Sequence, residues 1–493
     1  MQRDCVQCEH KKGKKKAHFH IGGHMVEKKG FYIMAHEGTH IQLKPQQVIR
    51  LPIKRMGING EGVGFYQRQV VFVEGAIPGE HVLARVQEVK RQFVRASLLK
   101  IIKRSPARIN PPCPVYDECG GCQLQHMSYE KQLVEKRELV KEAFSRYTRI
   151  RNLPLEETVG MNAPWAYRNK AQLPLQKVGD RVAMGMYSAQ SHRLVEIGDC
   201  GVQHEQVNKV LELARRELES LGVPIYHEKK HKGAIRHLVA RVGFTTGELQ
   251  VVVVSRTSDF PQQQAFISRL ITQFPAITSV VLNVNPIKTS RIFGTESRVL
   301  WGKEKIEEKL GDLTFRLSAL SFFQLNPQQT VQLYRQVERV ANLQGAETVI
   351  DAYCGAGTIG LWLAASAERV IGMDTTKEAI VDANENAQHN GITNVEYHVG
   401  AAEKLIPKWM KAGLQPDVIV VDPPRTGLGE PLRTALVQSP IPRLIYVSCN
   451  PSTLAKDCAE LVRAGYRVKQ VIPVDLFPQT AHVEAVCLLE AGR

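Results

Sequence analysis

Thr348-Val349-Ile350-Asp351-Ala352-Tyr353-Cys354-Gly355-Ala356-Gly357-Thr358 is a β-branched apolar run that leaves through a glycine-rich turn, and Leu361-Trp362-Leu363-Ala364 then begins a helix. Glycine in such a turn lets the backbone approach a ligand closely, and the helix behind it aims its N–H groups at whatever binds there. The next apolar run, Val370-Ile371-Gly372-Met373, ends at Asp374, 23 positions after Asp351. That is near the offset of ~20 at which an acid at a strand end holds ribose hydroxyls. From about residue 329 the chain keeps this strand–helix alternation, which predicts a Rossmann-like α/β domain over 329–493.

Two more strand ends follow. Ile419-Val420-Val421 runs into Asp422-Pro423-Pro424-Arg425, and Leu444-Ile445-Tyr446-Val447 runs into Ser448-Cys449-Asn450-Pro451. Open α/β sheets bind ligands beyond the carboxyl ends of their strands, so the thiol of Cys449 is expected beside a cofactor. The turn reads D-A-Y-C-G-A-G-T and not G-x-G-x-x-G, which favours S-adenosylmethionine (SAM) over a dinucleotide. Amino-group methyltransferases carry an aromatic residue where Arg425 stands. An arginine there argues against exocyclic amine chemistry, and the cysteine argues for covalent attack on a pyrimidine ring. Carbon 5 of uracil is too weak a nucleophile to take a methyl group until a thiolate has added to carbon 6. A base must then remove the carbon-5 proton so that the thiol can leave. The run Phe477-Pro478-Gln479-Thr480-Ala481-His482-Val483-Glu484 offers Glu484 for that step, with His482 close by.

The bulk of the chain sets limits on the rest. At 493 residues it exceeds a single core, and its net charge of +16 is unevenly placed. Residues 1–110 hold 21 Lys and Arg against 8 Asp and Glu, whereas 111–493 hold 44 against 41. The basic end is the candidate nucleic-acid contact. No stretch approaches the ~20 apolar residues needed to span a bilayer, and the start lacks the apolar core of a signal peptide. A cytoplasmic, reducing compartment is expected, where ten cysteines serve as metal ligands or nucleophiles and not as disulfides.

Four segments emerge. Residues 1–43 form a His- and Lys-rich arm in which Cys5 and Cys8 stand with His10, His18, His20 and His24 as a possible zinc site. Over 44–104 the runs Val70–Val73, His81–Val86 and Ser97–Ile102 are strand-like, and Gly57, Gly60, Gly62, Gly64, Gly75 and Gly79 punctuate them, as in a small OB-like barrel. Over 105–328 the chain reads as a central α/β or α+β domain with strands at Leu249–Val254 and Ser279–Val284. Its first part carries Cys113-x5-Cys119-x2-Cys122, with Cys200 far downstream. Four such thiolates fit an iron–sulfur cluster or tetrahedral zinc. Tyr129 to Tyr147 reads as a charged amphipathic helix.

Gly60-Glu61-Gly62-Val63-Gly64-Phe65 with Gly75-Ala76-Ile77-Pro78-Gly79-Glu80 resembles the TRAM domain, an RNA-binding barrel. Tyr446 to Asp457, Asp422 to Arg425, Asp475 to Glu484, and Ser321-Phe322-Phe323-Gln324-Leu325-Asn326 together resemble the RNA (uracil-5-)-methyltransferase family. With the barrel and the four cysteines, the chain is similar to its 23S ribosomal RNA branch. The resemblance covers roughly residues 44–493. It implies Cys449 as nucleophile and Glu484 as base. It implies Gln324, Tyr353, Asp374 and Asp422 along the SAM site, with Asp422 also near the uracil. It implies a 4Fe-4S cluster on Cys113, Cys119, Cys122 and Cys200, whose loss would fall first on folding and RNA binding because none of the four lies in the segment of the methyl chemistry. The expected partner is 23S ribosomal RNA, with no membrane and no obligate protein partner. A tRNA uracil methyltransferase is the alternative within the class, typically shorter and without barrel or cluster. A noncatalytic RNA-binding protein on a methyltransferase fold is the alternative outside it, against which intact Cys449, Asp422 and Glu484 count.

Overall fold

The apolar alternation between residues 48 and 103 closes on itself. The structure, a computed structural model, describes residues 43–189, 191 and 193–492. The arm expected at 1–43, with Cys5 and Cys8, therefore lies outside the described residues apart from Leu43. Strands β1 (Val48–Met56), β2 (Gly62–Tyr66), β3 (Gln69–Glu74), β4 (His81–Val89) and β5 (Phe93–Lys103) form a closed barrel in the order β1-β2-β3-β5-β4. Inward residues such as Ile49, Leu51, Ile53, Val71, Val73, Val82 and Ala84 fill it, and closure removes the exposed strand edges.

Helix α1 (Tyr129–Tyr147) follows with the limits its amphipathic pattern predicts. Its destination differs from the sequence reading, which put it in the central segment. Val140, Ala143 and Phe144 enter the core of the C-terminal sheet with Ile350, Leu454 and Leu489. Burying Phe144 alone is worth roughly 1.5–3 kcal/mol, enough to set where the helix docks.

The central segment builds a seven-stranded mixed sheet. β6 (Lys170–Val178), β7 (Arg181–Tyr187), β8 (Leu194–Glu196), β9 (Ile235–Val242), β10 (Leu249–Ser255), β11 (Ile277–Val284) and β12 (Glu296–Gly302) run in the order β12-β11-β10-β9-β6-β7-β8. Helices α2 (Glu205–Ser220) and α3 (Gln263–Gln273) contribute Val207, Leu211, Phe266 and Leu270 to the core shared with Leu238, Val251 and Val280. A hairpin, β13 (Ile306–Leu310) and β14 (Leu313–Leu317), comes next, but Ile306, Phe315 and Leu317 pack with the C-terminal sheet.

That last sheet carries β15 (Thr348–Ala352), β16 (Arg369–Asp374), β17 (Val395–Val399), β18 (Val418–Val421), β19 (Arg443–Ser448), β20 (Tyr466–Val474) and β21 (Glu484–Ala491) in the order β17-β16-β15-β18-β19-β21-β20. α4 (Pro327–Ala341), α5 (Thr358–Ala364), α6 (Lys377–His389), α7 (Ala402–Lys411), α8 (Glu430–Gln438) and α9 (Pro451–Arg463) connect or cover the strands. Six strands run in one direction, and β21 runs antiparallel between β19 and β20. Pro327 and Pro451 each stand at the first turn of a helix behind an asparagine whose side chain accepts a backbone N–H, Asn326 from Gln329 and Asn450 from Ser452. Those caps fix where α4 and α9 begin, and therefore where Gln324 and Cys449 are held. Among the described residues no helix is long and apolar enough to cross a membrane.

Candidate active site

The strand order reverses between β15 and β18, and open α/β sheets bind ligands beyond the strand ends at such a point. The turn leaving β15 is left-handed at Tyr353 (φ 64°), Gly355 (φ 54°) and Gly357 (φ 79°). A Cβ on Gly357 would lie 2.5 Å from the hydroxyl of Tyr397, so this glycine is required both by conformation and by space. Asp351 is buried and accepts the Gly360 N–H at 2.7 Å, which ties the turn to α5. Burial pushes its carboxyl up to about 7, with Asp422 and Asp374 adding to the shift. Asp374 accepts from Gly355 N at 3.2 Å and Thr376 N at 2.8 Å. The Tyr353 hydroxyl donates to Glu403 at 2.6 Å. These residues form a glycine-walled, acid-edged cradle whose donor set fits the ribose and amino acid parts of SAM. Gln324 is tied to the start of the central sheet, where Asn169 Nδ2 donates to its carbonyl at 3.2 Å. Next to it Phe323 is buried while Phe322 is 76% exposed.

Cys449 follows β19 directly. The register pairs Ser448 with Ala485, which sets Glu484 across from Cys449 at the same sheet end. Asp422 leaves the neighbouring β18. Cys449 is half-buried, and its thiol is raised by burial and then by the Glu484 and Asp422 carboxylates, while Arg425 opposes this by its charge and a hydrogen bond. Glu484, 7% exposed, is pushed up to about 8 by burial and by Asp422. Asp422 rises to about 7 for the same first reason. The Arg425 carbonyl accepts from Asn450 Nδ2 at 3.0 Å and Thr453 Oγ1 at 3.3 Å, and its Nη2 lies 3.1 Å from His482 Nδ1. Desolvation of the His482 ring and the cations Arg425, Lys136 and Arg168 pull that imidazole down to about 4. Of the two bases the sequence offered, Glu484 is the one with the higher proton affinity.

Cys113, Cys119, Cys122 and Cys200 line one cavity with Tyr116, Gln125 and Arg168. Burial pushes Cys122 up to about 11 and raises Cys119 and Cys200, and the Arg168 guanidinium counters each shift. Four soft donors around one space with the half-buried Arg168 cation beside them suit a thiolate-bound metal centre. Among the described residues, however, no three His, Cys, Asp or Glu side chains draw together into a group that could hold a metal ion. An iron–sulfur centre is therefore not shown. The four cysteines lie outside the segment of the methyl chemistry, yet the residues that follow Cys122 touch it. Gln123 and Leu124, directly after Cys122, donate their N–H groups to the carbonyl of Gln479 at 3.0 and 2.9 Å, and Gln479 lies in the loop that leads to Glu484.

Sequence reasoning missed Gln132, Lys136, Tyr167 and Arg168. The only signal was spacing. Gln132 and Lys136 are four apart on α1, hence on one face, and both are buried among residues that read as solvated.

Residues 128–492 match the family described as tRNA (Uracil-5-)-methyltransferase, and residues 42–99 match the TRAM domain. An uncharacterized RNA methyltransferase of Halalkalibacterium halodurans is 54% identical over 458 residues, 92% of this chain and 99% of that protein. An uncharacterized RNA methyltransferase of Bacillus cereus is 50% identical over 91% of this chain and 98% of its own length. Among solved structures, the tRNA (uracil-54, C5)-methyltransferase of Pyrococcus abyssi in complex with S-adenosyl-L-homocysteine is similar with a TM-score of 0.72 and 28% identity, over 90% of this chain and 100% of that one.

Proposed function

The chain belongs to the RNA uracil-5-methyltransferase family with a TRAM domain, and from that premise we propose that it forms 5-methyluridine in 23S ribosomal RNA through a covalent adduct on Cys449. The reading is carried by the Ser448–Ala485 register, which sets a thiol and a carboxyl of high proton affinity at one sheet end beside Asp422. Cys449 enters as the thiolate with its proton released to solvent, and Arg425 compensates the sulfur charge. The sulfur adds to carbon 6 of uracil, and the electron pair of the 5,6 double bond moves into the ring as an enolate. SAM, when bound in the cradle of Tyr353, Asp374, Asp422 and Gln324, supplies an electrophilic methyl group to carbon 5. Glu484, its own proton first released to solvent, then removes the carbon-5 proton as the carboxylate, the double bond re-forms, and Cys449 leaves as thiolate. Asp422 lies beside both the cofactor cradle and the ring.

In the same reading Cys113, Cys119, Cys122 and Cys200 hold a 4Fe-4S cluster. Its support is the shared cavity and the neighbouring Arg168. The cysteine set is the feature that favours ribosomal RNA. A tRNA substrate is the second reading, favoured by the solved tRNA enzyme. The tenth of this chain that the match leaves uncovered is shorter than the 44–104 barrel segment, so the barrel is no argument against tRNA. The test is mass-spectrometric mapping of 5-methyluridine in ribosomal and transfer RNA from cells with and without the protein. Loss of the nucleoside from 23S RNA alone supports the first reading, and loss from tRNA alone replaces it with the second.

A further inference from the structure

The segment between Asp475 and Glu484 has no regular secondary structure, yet it is held at nearly every residue. Gln479 adopts φ 69°, a conformation uncommon outside glycine. It exchanges two hydrogen bonds with Gln132 of α1. Gln132 Nε2 donates to Gln479 Oε1 at 3.0 Å, and Gln479 N donates to Gln132 Oε1 at 3.1 Å. The two residues are 1% and 3% exposed, so water does not compete for these groups. Gln132 Nε2 also reaches the carbonyls of Leu124 (3.1 Å) and Met127 (2.9 Å). On the other side of the loop Gln123 Nε2 donates to Gly120 O at 2.9 Å, and its Oε1 accepts from Ala481 N at 3.4 Å. Tyr167 donates its hydroxyl to Pro478 O at 2.9 Å. The barrel closes the set. Gly60 has φ +90°, and a Cβ there would lie 2.9 Å from Gln123 Cβ and 3.5 Å from Ala481 Cβ.

Glu484 begins β21 five residues after Gln479. Its carboxyl is thus delivered by a loop whose conformation is set from outside its own sheet. A strained, non-glycine turn persists only where its surroundings over-determine it. Here the surroundings are one buried amide pair and the residues that follow Cys122. We propose that the Gln132–Gln479 pair is a positioning device for Glu484, and that residues 120–124 join the cysteine-lined cavity to the same loop. This rests on the reading of Glu484 as the base.

A loop that only stabilises the fold and a loop that aims a base differ in what accumulates. If the base is misplaced, adduct formation proceeds and its resolution fails. Gln132→Ala removes the pair. Gln479→Gly removes the side-chain half of it and keeps the backbone N–H bond to Gln132 Oε1; it also suits the left-handed φ and keeps the carbonyl that Gln123 and Leu124 use, so it guards against misfolding. Both variants of the full chain are assayed on total RNA from cells lacking the protein, beside Glu484→Gln. The expected result is kcat lowered on the order of 10- to 100-fold, unchanged KM for SAM, a denaturation-resistant protein–RNA adduct that builds up on ordinary RNA, and faster amide exchange over 475–484. Wild-type turnover without adduct in either folded variant would overturn the proposal, and so would a loss of adduct formation on 5-fluorouridine RNA that matches the loss of turnover. Normal turnover of Glu484→Gln is a separate outcome that removes the underlying reading of the base.

Discussion

Lys136 and Asp475 stand 339 positions apart in the chain and meet in an ion pair closed to water, Nζ 2.5 Å from Oδ1, with neither side chain exposed. Lys136 donates a second bond to Phe477 O at 3.1 Å. Burial pulls the lysine amine down, and the aspartate works against that shift. Removing one partner leaves the other charge buried and unpaired, which costs about 3–5 kcal/mol. Lys136→Met should therefore lower the urea midpoint strongly. Lys136→Met with Asp475→Leu should recover most of the loss, because two apolar groups of similar size need no partner. A double variant no more stable than the single one would assign the cost to packing.

How the sequence bears on this pair is instructive. Strands such as Leu444–Val447 and the limits of α1 are local, since alternation and amphipathic spacing are written in neighbouring residues. The strand-end positions of Cys449, Asp422 and Glu484 are readable because each follows or begins an apolar run with an abrupt change of residue type. The contacts of Gln132 and Lys136 span 347 and 339 positions and leave no local trace. A buried lysine on a helix of charged residues looks like a solvated one until its partner is known. For the same reason the helix was assigned to the central segment, although Phe144 packs in the C-terminal core.

Cys449→Ala should abolish methylation and leave SAM binding intact, since Tyr353 and Asp374 are held by Glu403 and by loop amides and not by the thiol. Wild-type protein should form a denaturation-resistant adduct with 5-fluorouridine RNA, and the variant should not. Full activity in the variant would end the covalent reading.

Glu484 links catalysis to pH. Its folded value of about 8 lies above the ordinary 4.5, so the native state binds more protons than the unfolded chain between those limits. The contribution to stability is present below pH 4.5 and is lost as pH rises through 8. Glu484→Gln fixes the uncharged form. It should leave stability near pH 4 unchanged and raise it by up to about 5 kcal/mol at pH 9, read from denaturant unfolding at both values. On ordinary RNA the same variant should strand the adduct. Equal unfolding midpoints with the wild type at pH 9 would show that the carboxyl is solvated.

Protein purified without oxygen should be brown and carry about four irons and four sulfides per chain, one thiolate per iron. Stoichiometric zinc without sulfide would assign Cys113, Cys119, Cys122 and Cys200 to a tetrahedral site instead. Because Gln123 and Leu124 hold Gln479, removing the metal should also speed amide exchange over 475–484, a readout independent of activity.

The barrel should supply salt-dependent RNA affinity. Arg91, Arg95, Lys100 and Lys103 are exposed, with Leu99 and Ile102 also exposed on strand β5. Deleting the barrel is a poor test, because Met56 and Ile77 form one cluster with Leu124 and Met127, and Arg55 pairs with Glu142 of α1 at 2.5 Å. Exchanging the four cations for glutamine keeps those contacts. Each phosphate contact contributes a slope near 0.7–0.9 in log affinity against log salt, so the four-fold variant should lose up to ~3 units of slope. SAM affinity should not change, since Tyr353, Asp374 and Asp422 belong to the C-terminal sheet. An unchanged slope would move the phosphate contacts to the central domain, where Arg298 lies on the edge strand β12 and Lys288 and Arg291 lie in the connection from β11 to it.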